Sequence, residues 1–354
     1  MIMKALYILE PGRVEFRELP MPKRSAGEAL LKLRFGGICG SDLGSYRGTF
    51  AYFGYPRIPG HEFSAEIVEI DENEAGLRPG MLVTANPYFN CDGCYSCSRG
   101  IVNACMDNQT MGCQRDGAFC EYIMLPVERL YAGKNLSAKA LATVEPYCIG
   151  AHGVSRAGVR SGQKVLVIGG GTIGLMAAIA AKSRGAQVYL CDVPQAEEKI
   201  RRSHETFGFA GIILNESPEA LDEAVRRVTG SLTINGKQQG YGFDVCIEAV
   251  GLPSTFQNCV DCCAVGGTVA LIGVGKQNLD FNFTLIQKKE LNIVGSRNAL
   301  KQDFLDAIDA ESAGRLKLEK AITNVYGFSE AAKAFEDFSQ NRGRMIKVLL
   351  DFDK

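Results

Sequence analysis

A chain of 354 residues that is 46% hydrophobic and 22% charged has enough apolar material for a large buried core, and more than one folding unit is expected. A formal charge of -1 with no long basic run leaves no electrostatic footprint for nucleic acid, so the partner expected is a small molecule. The start, MIMKALYILEPGRVEF, lacks the features of a signal peptide and no window stays apolar long enough to cross a bilayer, so a cytoplasmic protein without a membrane partner is expected.

Short apolar runs between Pro and Gly at residues 4–9, 13–19 and 28–35 read as strands of an antiparallel assembly, and GHEFSAEIVEI (60–70) and FCEYIMLP (119–126) continue in that style. Within this strand-rich region, residues 91–105 hold Cys91, Cys94, Cys97 and Cys105. Thirteen cysteines cannot all pair, and a reducing compartment disfavours disulfides. The gaps of two, two and seven residues, with no Pro after the last Cys, fit an iron-sulfur run poorly. Four thiolates closing a tetrahedron around zinc fit well, and a metal with four protein ligands has no vacancy for substrate, so this lobe is expected to be structural.

The pattern changes near residue 151. KVLVIGGGTIGLMAAIAAKSRGAQVYLCDV runs buried strand, Gly-rich turn, apolar helix, second strand and acid, the sequence form of a βαβ unit. Strand-like runs follow at 209–214, 243–249, 267–274 and 290–296, separated by amphipathic stretches at 195–207, 216–229 and 253–264. Six strands with helical crossovers predict a doubly wound parallel sheet and an α/β fold class. The polar segment 230–242 is expected to be an exposed loop. Helix-period segments at 301–313 and 328–340 then lead to a last strand at 345–352.

Gly169, Gly171 and Gly174, with Thr172 and Ile173 between the last two, supply G-x-G-x-x-G at a strand-to-helix turn. The glycines allow a tight turn, close approach of backbone to a pyrophosphate and close helix-strand packing, while the helix N-terminus offers free N–H groups to the phosphates. Asp192 closes the second strand, where a carboxylate binds the adenosine ribose and repels a 2'-phosphate, so NAD is expected over NADP. A plain turn acid before Pro194 is the competing assignment for Asp192. Lys199, Arg201 and Arg202 stand on the next helix, within range of a 2'-phosphate.

A second, catalytic metal would draw three ligands from separated elements. The chain has three His. His204 is expected at the surface and His152 in packing, whereas Pro59 and Gly60 present His61 at the mouth of a strand, followed by Glu62. Cys39 stands in a comparable turn, GGICGSD. Taken singly, a Cys is more often a small buried hydrophobe and a His a satisfied polar group.

The motifs GGICGSD, GHEFSAEIVEI, the four-Cys lobe, VEPYCIGAHGV and VLVIGGGTIGL stand in the order found in zinc-dependent medium-chain dehydrogenases. Over nearly the whole chain the sequence resembles that family's polyol, threonine and sugar-acid branch, with its sorbitol and galactonate 5-dehydrogenases. The resemblance implies a GroES-like catalytic domain at 1–150 and 297–354 around a Rossmann NAD-binding domain at 151–296. It also implies two zinc ions per chain, NAD as cofactor and a homodimer or homotetramer associating near 290–296. Cys39, His61 and Glu145 would ligate the catalytic zinc, with Glu62 holding a water or binding zinc directly, and without the motif series Glu145 would be a helix-start acid. Ser41 would first take the alcohol proton, and Gly44 stands where many relatives carry a His that completes the relay. Arg297, in VGSRNAL, would hold a hydroxyl or carboxylate of the substrate, the alternative being a salt bridge.

The implied reaction is reversible oxidation of a secondary alcohol of a polyol or sugar acid to the ketone. L-threonine and sugar phosphates are alternative substrates; a metal-free NADPH reductase and a non-catalytic NAD or redox sensor are alternative classes. Cys259, Cys262 and Cys263 have the spacing of one packed helix face.

Overall fold

The computed structural model describes residues 2–354, which divide into two compact units. The first runs through Glu145 and resumes from Asn298 to Lys354, and the second is Pro146–Arg297.

In the first unit a seven-stranded sheet is organised on the long strand Glu28–Ile38. Its N-terminal half pairs with Tyr122–Pro126, its C-terminal half with Lys347–Asp351, and its other edge with Glu62–Glu69. Alternation puts Leu31 and Leu33, with Phe63, Ile67 and Val83 from neighbouring strands, into one apolar cluster. A second cluster gathers Leu6, Ile8, Ile38, Phe119, Phe335 and Leu350. Each of these fully buried side chains contributes about 1.5–3 kcal/mol of apolar burial, which fixes the strand register. That register sets Gly37 opposite Glu62 and Ile38 opposite Val348. Glu62, the strand start at Lys347 and the turn at Cys39 therefore meet at one end of the sheet.

The second unit is a six-stranded parallel sheet. In order across the sheet the strands are Gly211–Leu214, Gln187–Asp192, Lys164–Ile168, Phe243–Glu248, Cys263–Leu271 and Asn292–Gly295. The order reverses between Lys164–Ile168 and Phe243–Glu248, and ligands of such sheets bind beyond the strands' carboxyl ends at that point. Leu166, Ile168, Phe243, Cys246 and Val269 pack there with Phe256, Cys259 and Val260 of the helix Pro253–Cys262.

Two segments differ from the sequence-based expectation. Residues 230–242 hold a hairpin, Ser231–Ile234 with Lys237–Gly240, rather than an open loop. Asn235 and Gly236 turn it at φ 50° and 74°, the positive-φ pair that matches strand twist. The strand Ile322–Gly327, absent from the sequence reading, lies parallel to Lys347–Asp351 at the sheet's edge, where half-exposed polar residues blur the strand pattern.

Candidate active site

Ligand-competent atoms of Cys39, His61 and Glu62 lie within 4.8 Å of one another. Cys39 immediately precedes the helix Gly40–Tyr46, and His61 precedes the strand Glu62–Glu69. Asp42 ties the two turns together: its carboxylate accepts from Cys39 N–H at 2.9 Å and from Gly60 N–H at 3.2 Å. Gly60 has φ +95°, and a Cβ there would sit 2.3 Å from the Phe119 ring, so only glycine fits that turn. A Cβ at Gly37 would lie 2.4 Å from Glu62 Oε2. The missing side chain at Gly37 thus makes room for the Glu62 carboxylate.

Glu145, in the first turn of the helix Val144–Arg156, stands outside that three-atom set, and its Oε1 accepts from the Tyr88 hydroxyl. It nevertheless shares the site's field with His61 and Glu62. Burial pushes the Glu145 carboxyl up to about 7, with Glu62 adding to the rise while His61, Tyr88 and Lys347 oppose it. Burial alone would lower His61, but Cys39, Asp42 and Glu145 raise it well above the ordinary imidazole range. Burial also raises Asp42, against the pull of His61 and of the two N–H groups.

Lys347 was not singled out in the sequence. It is fully buried, pairs with Glu62 Oε2 and donates to the Ile38 carbonyl at 3.1 Å. Burial lowers it, but the charges of Glu62, Cys39 and Glu145 outweigh that and keep it raised. The Lys347 ammonium thus faces two buried carboxylates, Glu62 and Glu145, and the Cys39 sulfur, while the raised imidazole of His61 stands against Cys39, Asp42 and Glu145. Glu62 Oε1, His61 Nδ1 and Ser41 Oγ are buried without hydrogen-bond partners. Buried polar atoms left without partners in this way demand an occupant. Sulfur, imidazole and carboxylate together suit zinc, so the residues present fit the metal.

All thirteen cysteines are free. The sulfurs of Cys91, Cys94, Cys97 and Cys105 also lie within 4.8 Å of one another. Ser96 and the N–H groups of Met106 and Cys97 draw Cys94 down to about 5. Burial and the sulfurs of Cys94 and Cys105 push Cys97 up to about 12. Thiols this crowded cannot all ionise unless a cation offsets them, and four thiolates at this spacing fit a closed zinc site.

In the second unit, Gly169 has φ +104°, and a Cβ at Gly174 would fall 1.7 Å from the Gly169 carbonyl oxygen. Gly171 precedes the helix Thr172–Ser183, with Thr172 and Ile173 in its first turn. Asp192 ends the strand Gln187–Asp192 and folds back on that turn, accepting from Gly170 N–H and Val193 N–H, each at 2.8 Å. Lys199, itself buried, lies 3.2 Å from the same carboxylate. Arg201 pairs with Glu197 instead. Gly169, Gly171, Thr172, Ile173, Gly174 and Asp192 therefore converge on one end of the sheet. The surface left between them fits a dinucleotide, because nothing lies within 4 Å of where a Gly171 side chain would begin, beside the helix N-terminus and the acid.

Ser41 lies in the helix Gly40–Tyr46 beside Cys39. At Gly44 a Cβ would meet Phe50 Cβ at 3.1 Å, so Phe50 crowds the position where a relay histidine would stand. Arg297 is exposed and lies two residues past the strand Asn292–Gly295. Asp42, Tyr88 and Lys347 are the site residues that sequence reasoning missed. A signal existed for two of them: Asp42 stands three residues after Cys39, a capping spacing, and Lys347 is a lone cation in an apolar strand. Nothing local marks Tyr88.

Comparison with known proteins agrees along the chain. Residues 25–135 match the alcohol dehydrogenase GroES-like domain, and residues 172–312 match the zinc-binding dehydrogenase domain. L-galactonate-5-dehydrogenase of Escherichia coli (strain K12) is 34% identical over 351 residues, 99% of each chain. A solved alcohol dehydrogenase from E. coli CFT073, complexed with NADH, superposes with a TM-score of 0.88 at 30% identity over 99% of each chain. A putative zinc-binding dehydrogenase from Sinorhizobium meliloti 1021, bound to NADP, gives 0.86 at 28% over 99% of each.

Proposed function

This chain belongs to the zinc-binding alcohol dehydrogenases with a GroES-like domain, and on that premise we propose that it oxidises a secondary alcohol of a sugar acid or polyol to the ketone. The chain is an oxidoreductase acting on CH–OH donors. The relative that is 34% identical over 99% of both chains is an L-galactonate-5-dehydrogenase, which supports an aldonate as the first substrate class to test.

The observation that carries this proposal is the convergence of Cys39, His61 and Glu62 within 4.8 Å, with His61 Nδ1 and Glu62 Oε1 buried and unpartnered among them. When bound, zinc supplies Lewis-acid polarisation of the alcohol oxygen, and the nicotinamide ring accepts the hydride. The residues of the chain do the rest. Cys39, His61 and Glu145 would hold the metal, and Glu62 would either join them or hold a water. Asp42 fixes the distance between the Cys39 and His61 turns, Tyr88 orients Glu145, and Lys347 restrains Glu62 through Oε2 while leaving Oε1 for the site.

Ser41 Oγ would take the hydroxyl proton first, being buried, without a partner and next but one to Cys39. With Gly44 offering no imidazole, the proton would leave through water or through Glu62. Gly169–Gly174 and Asp192 would hold the cofactor, with NAD preferred and two zinc ions per chain. The ammonium of Lys199 beside Asp192 tempers that preference, because it partly offsets the charge that repels a 2'-phosphate. Arg297 would bind the substrate carboxylate or a hydroxyl.

The test is Cys39→Ser. NAD reduction with aldonates and hexitols should fall below detection while NADH binding, followed by fluorescence, stays near wild type. Unchanged turnover would refute the assignment of Cys39.

A further inference from the structure

The strand Phe243–Glu248 ends on a carboxylate that the sequence did not single out. Glu248 is 3% exposed, yet it carries a charged side chain at the point where the strand order reverses. Its Oε1 accepts from Val250 N–H at 2.9 Å, Gly251 N–H at 2.8 Å and the Thr255 hydroxyl at 2.7 Å. Its carbonyl oxygen accepts from Ile272 N–H at 2.9 Å and Gly273 N–H at 3.1 Å. The carboxylate thus ties down the loop after its own strand, and the backbone carbonyl the loop after the neighbouring one, with Oε2 packed against Gly273 between them.

Those loops interlock through glycines. A Cβ at Gly273 would lie 2.3 Å from Gly251 N and 2.4 Å from Glu248 Oε2, and one at Gly251 would lie 2.7 Å from the Val274 carbonyl. On the other side they abut the glycine-rich turn: a Cβ at Gly169 would meet Val250 Cγ2 at 2.7 Å. The shelf so formed presents Val250 and Val274, 42% and 66% exposed, at the carboxyl ends of the strands. In a doubly wound sheet each half takes one mononucleotide. Asp192 belongs to the first half, and the shelf to the second.

We propose that Glu248 is a positioning residue for the nicotinamide half of the dinucleotide, holding residues 249–252 and 272–275 as a rigid apolar shelf against which that half of the cofactor is placed. The inference rests on the assignment of this unit as the dinucleotide site. Without the carboxylate, the Val250 and Gly251 N–H groups and the Thr255 hydroxyl lose their acceptor and the loop at 249–252 loosens against the loop at 272–275, which the Glu248 backbone carbonyl still holds. The adenosine half, held by Asp192 and Gly170, does not depend on it.

The test compares NADH with 5'-AMP, which carries the adenosine half alone, by fluorescence titration and competition. Glu248→Ala should weaken NADH binding by about tenfold or more, the size expected for losing hydrogen bonds to a buried charged acceptor, and leave 5'-AMP within about twofold of wild type. Glu248→Gln keeps an Oε1 acceptor and should bring NADH back to within about threefold. Gly273→Ala, which keeps the Glu248 carboxylate but presses a methyl against both it and Gly251 N and so forces the two loops apart, should reproduce the NADH-selective loss if Glu248→Ala does not fold. NADH affinity unchanged in the foldable variants, or an equal loss for NADH and 5'-AMP, would overturn the proposal. A wild-type protein that bound neither ligand would instead defeat the dinucleotide assignment itself.

Discussion

A lysine ammonium without access to water must be offset by an anion in contact, and at Lys347 that anion is Glu62. Removing one partner of such a pair leaves the other buried and uncompensated, at a cost of about 3–5 kcal/mol, whereas removing both is far less costly. Lys347→Met should therefore lower stability by roughly that amount, and adding Glu62→Gln should recover much of it. Urea unfolding of the two singles and the double would show this; strictly additive losses would mean the pair is not coupled. Zinc content of Lys347→Met, measured alongside, should fall as Glu62 loses its restraint. At this scale the turns that carry Cys39 in GGICGSD and His61 after Pro59–Gly60 were legible, whereas a metal-binding role for either residue rested on the resemblance of the ordered motifs, since a single Cys or His is more often structural. Tyr88 was not legible, since a tyrosine in a short strand reads as packing until Glu145, 57 positions away, is found against its hydroxyl.

The elements that matter most are strand ends. Asp192 closes its strand with both carboxylate oxygens engaged, one of them by Lys199 as well as by Gly170. Replacing it with Ala removes the charge opposing a 2'-phosphate and leaves Lys199 free to attract one. The ratio of kcat/KM for NADP to that for NAD should rise by an order of magnitude or so in Asp192→Ala, which steady-state assays with both cofactors would check. An unmoved ratio would exclude Asp192 from ribose recognition. The glycine-rich turn and this acid were readable because strand, turn and helix follow one another without interruption. Lys199 was readable as a nearby cation but not as the acid's partner, because the turn of the helix Glu197–Phe207 decides which way it points. The hairpin at 231–240 was misread because its polar composition outweighed the Asn-Gly pair that turns it.

For the whole molecule, the four-Cys lobe and the ligand turns share the first unit, while the dinucleotide turn lies in the second. Loss of the lobe's metal should therefore damage one unit and spare the other's binding. Cys105→Ser, which alters the buried member of the set, should remove one of the two zinc ions proposed per chain and lower the thermal midpoint by at least about 5 °C. NADH binding should persist at low temperature. Metal analysis and scanning calorimetry would test this, and retention of two zinc ions in the variant would remove Cys105 from the ligand set.

Local order in the chain was enough to specify the parallel sheet, the glycine-rich turn and the four-thiol lobe. Each is written in spacings of a few residues, over which backbone geometry alone decides what can meet. Only the folded sheet decided that Lys347 would neutralise Glu62, that Tyr88 would hold Glu145 and that Glu248 would bind two loops at once. Those pairings join positions far apart in sequence or depend on how glycines let two turns touch, and no local pattern encodes them. They exist because strand register and core packing exclude water, so that every buried charge must find its partner in three dimensions.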